Sequence, residues 1–253
     1  MDLFNLKNKV AIVTGCSRLN GLGYGMAEGL AEAGAHIVGV ARGDMTEEKK
    51  QIESLGQKFL PINADFSNQE SIPSIIDETL ATFGQIDILV NNAGTIRRDE
   101  AKDFTEKDWD DVMNVNLKSL FFLSQAVAKE FIKNNSGGKI INVASMLSYQ
   151  GGIRVLSYTA SKHGVAGLTK ALCNEWAQYN INVNAIAPGY METENTAPLI
   201  KDQTRYQEIL KRIPAGRWGT NADLKGTVVF LASSASDYLN GAIIPVDGGW
   251  LAR

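Results

Sequence analysis

The chain has 253 residues, 44% hydrophobic and 21% charged, enough apolar material for the large core of a soluble α/β domain. A net charge of −3 offers no basic footprint for nucleic acid or an anionic membrane, and no apolar run approaches the ~20 residues of a membrane span. Cys16 and Cys173 are too few for a disulfide framework and share no ligand spacing with His36 and His163. No metal site is therefore expected, the N-terminus shows no targeting pattern, and the expected setting is cytoplasmic.

Short β-branched runs alternate with amphipathic stretches throughout. Strands are expected at 10–14, 36–41, 57–62, 86–91, 139–144, 182–186 and 242–246. Helices are expected at 24–33, 46–55, 69–83, 108–133, 157–179 and 221–233. This alternation predicts a single-domain, Rossmann-type doubly wound parallel sheet of about seven strands, with helices on both faces. Such sheets bind ligands outside the carboxyl ends of their strands, so function is sought just after each strand.

After the first strand comes Gly15-Cys16-Ser17-Arg18-Leu19-Asn20-Gly21-Leu22-Gly23, opening onto a helix rich in small residues. Glycines there let backbone N–H groups approach a pyrophosphate, and the helix N-terminus adds partial positive charge. Gly15, Ser17, Arg18, Gly21 and Leu22 are the candidate contacts; a flexible loop closed by a helix-packing glycine is the plainer alternative. The second strand ends Ala41-Arg42-Gly43-Asp44, with alanine where an NAD site would place a carboxylate for the ribose. Arg42 and Arg18 offer two cations to the 2′-phosphate of NADP. Alternatively both face solvent, and Asp44 or backbone groups serve the ribose.

Asn63-Ala64-Asp65 and Asn91-Asn92-Ala93-Gly94 follow the third and fourth strands, and each alone reads as an Asx turn. Tyr158 and Lys162 are spaced to share one face of the helix expected at 157–179. A nearby ammonium lowers the pKa of a tyrosine from its usual ~10, making it a usable proton donor and acceptor. Ser145 ends the fifth strand, and the stretch between it and Tyr158 faces the expected pocket. There Arg154 would clamp a carboxylate and Gln150 would bond hydroxyls, with Arg98 a second clamp from the fourth strand. For both arginines an ion pair or an oligomer contact is the alternative. Residues 194–213 lack sheet periodicity and read as a helical substrate lid, within about 190–215.

The glycine turn, Asn91-Asn92-Ala93-Gly94, Ser145, Tyr158 with Lys162, Ala187-Pro188-Gly189 and Pro245-Val246-Asp247-Gly248-Gly249-Trp250 together resemble the short-chain dehydrogenase/reductase family from end to end. The usual turn of that family is Thr-Gly-x-x-x-Gly-x-Gly. Here five residues, not three, separate Gly15 from Gly21, a spacing its enoyl reductases also use. The resemblance implies an adenine pocket at Asp65 and the adjoining Phe66, with Asn92, Ala93 and Gly94 approaching the cofactor. It implies that Pro188 and Gly189 cover the nicotinamide and that Thr193 contacts its carboxamide or phosphate. It further implies that Ser145 holds the reacting carbonyl, Tyr158 moves the proton, and Lys162 connects to solvent through a water held by Asn116. Residues 96–99, 145–154 and 213–219 narrow the resemblance to members acting on a deoxy keto sugar acid. Those members imply NAD(H), with NADP(H) the alternative, and a homotetramer. A reductase of another keto acid or of a carrier-bound thioester is the alternative within the family, and a non-catalytic cofactor sensor is the alternative outside its chemistry.

Overall fold

The computed structural model describes residues 2–253. The β-branched runs form β1 (Val10–Thr14), β2 (His36–Ala41), β3 (Phe59–Asn63), β4 (Ile88–Asn91), β5 (Gly138–Val143), β6 (Ile181–Pro188) and β7 (Ile243–Val246). They pair in parallel throughout, in the order β3-β2-β1-β4-β5-β6-β7. Strand order reverses between β1 and β4, which opens the crevice where this architecture binds ligands.

Alternation along β1 divides the core. Ala11 and Val13 point to one face, where α1 (Leu22–Glu32), α2 (Thr46–Ser54) and α9 (Lys225–Ala232) pack. Val10 and Ile12 point to the other, against α3 (Ile72–Phe83), α5 (Ser119–Lys133) and α6 (Leu156–Trp176). Each fully buried Val or Ile contributes about 1.5–3 kcal/mol through its removal from water. The edge strands β3 and β7 are only partly buried, and each carries a proline, Pro61 and Pro245, which a central ladder would not tolerate. Buried polar side chains form a chain of bonds: Asn91 Nδ2 donates to Ser124 Oγ and Asn142 Oδ1, and Asn142 Nδ2 donates to Thr169 Oγ1. These bonds join β4 and β5 to α5 and α6 below the site.

The first two strands have the expected bounds, and the others shift by one or two residues. The single helix expected over 108–133 is instead α4 (Glu106–Met113), a π-helical turn at Asn114–Lys118, and α5. Residues 194–212 form a 3-10 turn, Glu194–Thr196, then α7 (Ala197–Lys201) and α8 (Gln203–Arg212). No helix among the described residues is long and apolar enough to cross a membrane.

Candidate active site

The carboxyl end of β5 gathers the proton-transfer candidates. Ser145 is buried and extended, and its Oγ accepts from Leu147 N at 3.1 Å, capping a short turn at Met146–Ser148. Tyr158 lies in the first turn of α6, near enough to Ser145 for that hydroxyl to act on its pKa. Lys162, one turn on, is buried; its Nζ donates to Val143 O at 2.6 Å and stands 5.5 Å from the centre of the Tyr158 ring. Ser148 Oγ donates to Lys162 O, tying the loop to the helix.

Asn116 reaches this group through the π turn. Its Oδ1 accepts from Thr95 N at 2.8 Å, and its Nδ2 donates to Thr95 O and to Ser161 Oγ on α6. A π turn in an otherwise α-helical run re-aims one side chain, and here it turns Asn116 into the core.

The electrostatics differ from the sequence expectation. Burial pushes the Tyr158 hydroxyl above its usual value, while the Ser145 hydrogen bond and the Arg98 charge pull it down. Lys162 Nζ stands over the Tyr158 ring while its hydrogen bond goes to Val143 O. Burial lowers Lys162 itself, from 10.5 to about 8.

The first turn meets the fourth-strand loop at close range. Asn92 Nδ2 donates to Thr14 O and Gly15 O, and the backbone N–H groups of Asn92 and Ala93 both donate to Thr14 Oγ1. Gly15 has φ +71°, and a Cβ there would stand 2.9 Å from Ala93 Cα; one on Gly23 would stand 2.4 Å from Gly15 O. Gly21 caps α1 without any side-chain hydrogen bond, so no side chain covers the N–H groups of its first turn. A glycine cradle under an uncovered helix N-terminus fits a dinucleotide pyrophosphate. The lengthened loop is braced from far along the chain, where Asn221 Nδ2 donates to Leu19 O at 2.8 Å. Sequence reading passed over both Thr14 and Asn221. The Thr-Gly pair was a signal for the first, and nothing local marks the second.

Other candidates divide. Gly94 lies beside the Asn116 side chain, and Gly189 N donates to Val246 O next to Pro188 at the end of β6. Thr193 is held in a capping box with Thr196. Phe66 packs with Ile62 and Ile72 and lines a small cavity together with Thr14 and Ala93. Asp65 forms the Asx turn, accepting from Ser67 N, and Arg42 reaches it at 3.9 Å. Arg18 is ion-paired with Glu194.

At the substrate side, Arg98 Nη2 donates to Asn195 O at 2.8 Å. Arg154 is exposed, has φ +61°, and its guanidinium makes no ion pair among the described residues. Gln150 Oε1 accepts from Trp250 Nε1. Trp250 packs in a cluster with Met146, Ile209, Ile213 and Trp218, which seats α8 against the Met146–Ser148 turn. Among the described residues, no group of three or more His, Cys, Asp or Glu could hold a metal ion.

The family model for enoyl-(acyl carrier protein) reductases matches residues 15–251, and with the glycine turn and the Ser145, Tyr158 and Lys162 set it shows that the chain belongs to the short-chain dehydrogenase/reductase family. It is an oxidoreductase of that family with a nicotinamide cofactor. More particularly, the chain is 62% identical over 253 residues to the 2-dehydro-3-deoxy-D-gluconate 5-dehydrogenase of Escherichia coli K12, covering 100% of this chain and 99% of the relative. A solved structure from Agrobacterium tumefaciens, provisionally assigned as a 2-deoxy-D-gluconate 3-dehydrogenase with bound NADP, is similar at TM-score 0.94 and 53% identity, with both chains fully covered. A gluconate 5-dehydrogenase from Burkholderia cenocepacia J2315, in complex with NADP and tartrate, is similar at TM-score 0.93 and 41% identity, covering 100% of this chain and 98% of that one. The NAD(H) preference implied by resemblance finds no support here, since both of these solved structures hold NADP.

Proposed function

We propose that the protein interconverts 3-deoxy-D-glycero-2,5-hexodiulosonate and 2-dehydro-3-deoxy-D-gluconate with NADP(H). The observation that carries this reading is the convergence of a proton donor and a carboxylate partner. Tyr158, in the first turn of α6, stands near Ser145 at the end of β5, and both the Ser145 hydroxyl and the Arg98 charge pull its pKa down. A small keto acid held by Arg98 would place its carbonyl oxygen between Ser145 and Tyr158. The names and identities of the relatives support the sugar acid. Alanine at the end of β2, followed by Arg42, supports NADP over NAD, as do the NADP-bound neighbours.

The nicotinamide, when bound, would supply the hydride that reduces the carbonyl carbon. Tyr158 gives its proton to the carbonyl oxygen, and Ser145 Oγ steadies the charge that develops there. Lys162 stands behind Tyr158 and relays a replacement proton from a water at Asn116. Gly15, Ser17, Gly21, Leu22, Asn92, Ala93 and Gly94 would hold the dinucleotide, with Pro188, Gly189 and Thr193 over its reactive end. Residues 190–215 act as a lid that excludes water. Exposed Trp109, Phe122 and Leu156 on α4 to α6 support assembly as a homotetramer, and the free cysteines suit the cytoplasm.

The test is oxidation of NADPH and NADH against a panel of keto sugar acids and a 3-oxoacyl thioester. Turnover of the deoxy hexodiulosonate in preference to the thioester is expected. Activity confined to the thioester overturns the sugar-acid reading. Tyr158→Phe should retain nucleotide binding and lose turnover.

A further inference from the structure

The lengthened first turn carries Arg18 away from the phosphate cradle and into an ion pair with Glu194, where the Glu194–Thr196 turn begins. The two side chains line one cleft together with Leu19, Asn20, Asp44, Glu47 and Glu48. Ser17 borders the same loop, since a Cβ on Gly43 would stand 3.1 Å from its Oγ. This cleft lies at the connection from β2 to α2, outside the carboxyl end of β2, where the fold reads the adenosine ribose.

We propose that Glu194 sets the choice between NADP(H) and NAD(H) by competing with the ribose 2′-phosphate for the Arg18 guanidinium. Arg18 is the one cation among the residues that line the cleft, and it faces four carboxylates. Asp44, Glu47 and Glu48 repel a dianion, so a 2′-phosphate that approaches Arg42 at the end of β2 gains a second cation on this side when Arg18 turns to it from Glu194. Both partners are more than half exposed, and exposed pairs are weak, so a bidentate phosphate contact can displace the carboxylate. A nucleotide without the phosphate leaves the pair intact. Displacement of Glu194 also frees the residue next to Asn195, whose carbonyl accepts from Arg98. Phosphate recognition at one end of the site is thereby linked to the start of the segment over the other.

The proposal rests on the nicotinamide cofactor and not on the sugar acid. Its test is the dissociation constants of NADPH and NADH, read by nucleotide fluorescence, for the full chain and for Glu194→Gln, Arg18→Gln and the double variant. Glu194→Gln should tighten NADPH about fivefold and leave NADH within about twofold, the scale of one exposed ion pair. Arg18→Gln should weaken NADPH and abolish the gain from Glu194→Gln. An unchanged NADPH-to-NADH ratio in Glu194→Gln, or a gain that persists without Arg18, overturns the proposal. Turnover of keto sugar acids is read separately at saturating nucleotide, so failure of either reading leaves the other standing.

Discussion

Lys162 Nζ donates to the Val143 carbonyl at 2.6 Å while it stands 5.5 Å from the centre of the Tyr158 ring, so one ammonium ties the end of β5 to the proton-transfer helix. Its charge is held in a buried place, and its pKa falls from 10.5 to about 8. Between those values the unfolded chain keeps a proton that the native chain has released. Unfolding therefore takes up a proton, and stability rises with pH from about 8 towards 10.5. Lys162→Met removes this term. The difference in melting temperature between the wild type and Lys162→Met should grow in favour of the wild type from pH 8 to 10. A difference that stays flat across that range rejects the depressed lysine.

Asn116 is expected to matter for stability as well as turnover. Asn116→Ala strands Thr95 N–H and Thr95 C=O and removes a donor to the fully buried Ser161 hydroxyl, which keeps its own bond to Tyr158 O. Loss of such bonds costs roughly 2–3 kcal/mol in total. Urea denaturation reads this as a lower midpoint at unchanged slope. A variant as stable as the wild type would show that the π turn holds its shape without this side chain.

Legibility followed the range of the interactions. The bounds of β1 and β2 could be read because each is an unbroken buried run ending at a glycine or an arginine. Tyr158 and Lys162 were legible as one face of one helix, and Ser145 as the residue just beyond β5. The π turn was not legible, because Asn114–Lys118 keeps the apolar spacing of a continuous helix. Contacts across the chain were also hidden: Asn221 with Leu19, Gln150 with Trp250, and Arg18 with Glu194. No local pattern encodes a partner that tertiary packing brings from 100 or more positions away. The bond from Lys162 to the Val143 carbonyl was hidden for the same reason, since spacing along α6 does not reveal it.

Asn221 gives a contrast with Arg18. Its bond to Leu19 O braces the backbone of the lengthened turn, and Asn221 itself is not among the residues that line the cleft that reads the ribose. Asn221→Ala should therefore weaken NADH and NADPH alike, by about fivefold for one lost hydrogen bond of ~1 kcal/mol. Titration calorimetry with each nucleotide checks this. A change confined to NADPH would assign Asn221 to phosphate selection instead of loop support.

Arg253 closes the last turn of α8. Its Nη2 donates to Lys211 O at 2.8 Å and its Nε to Arg212 O at 3.2 Å, so a cation satisfies carbonyls that the helix leaves unpaired. Arg212 in turn lies 3.9 Å over the Trp250 ring, and Trp250 donates to Gln150 in the stretch between Ser145 and Tyr158. The cap thus bears on the pocket through two contacts. Arg253→Ala removes the cap and should loosen α8 by about 0.5–1 kcal/mol, with a shift in melting temperature of only ~2–4 °C. The KM for the sugar acid should rise about threefold to fivefold, with nucleotide affinity unchanged, because the affected contacts lie on the substrate side. Arg253→Lys keeps a cation without the forked geometry and should recover part of the loss. Proteolysis between α7 and α8 should quicken in the alanine variant. An unchanged KM with quickened proteolysis would leave Arg253 a helix cap alone, with no bearing on the site.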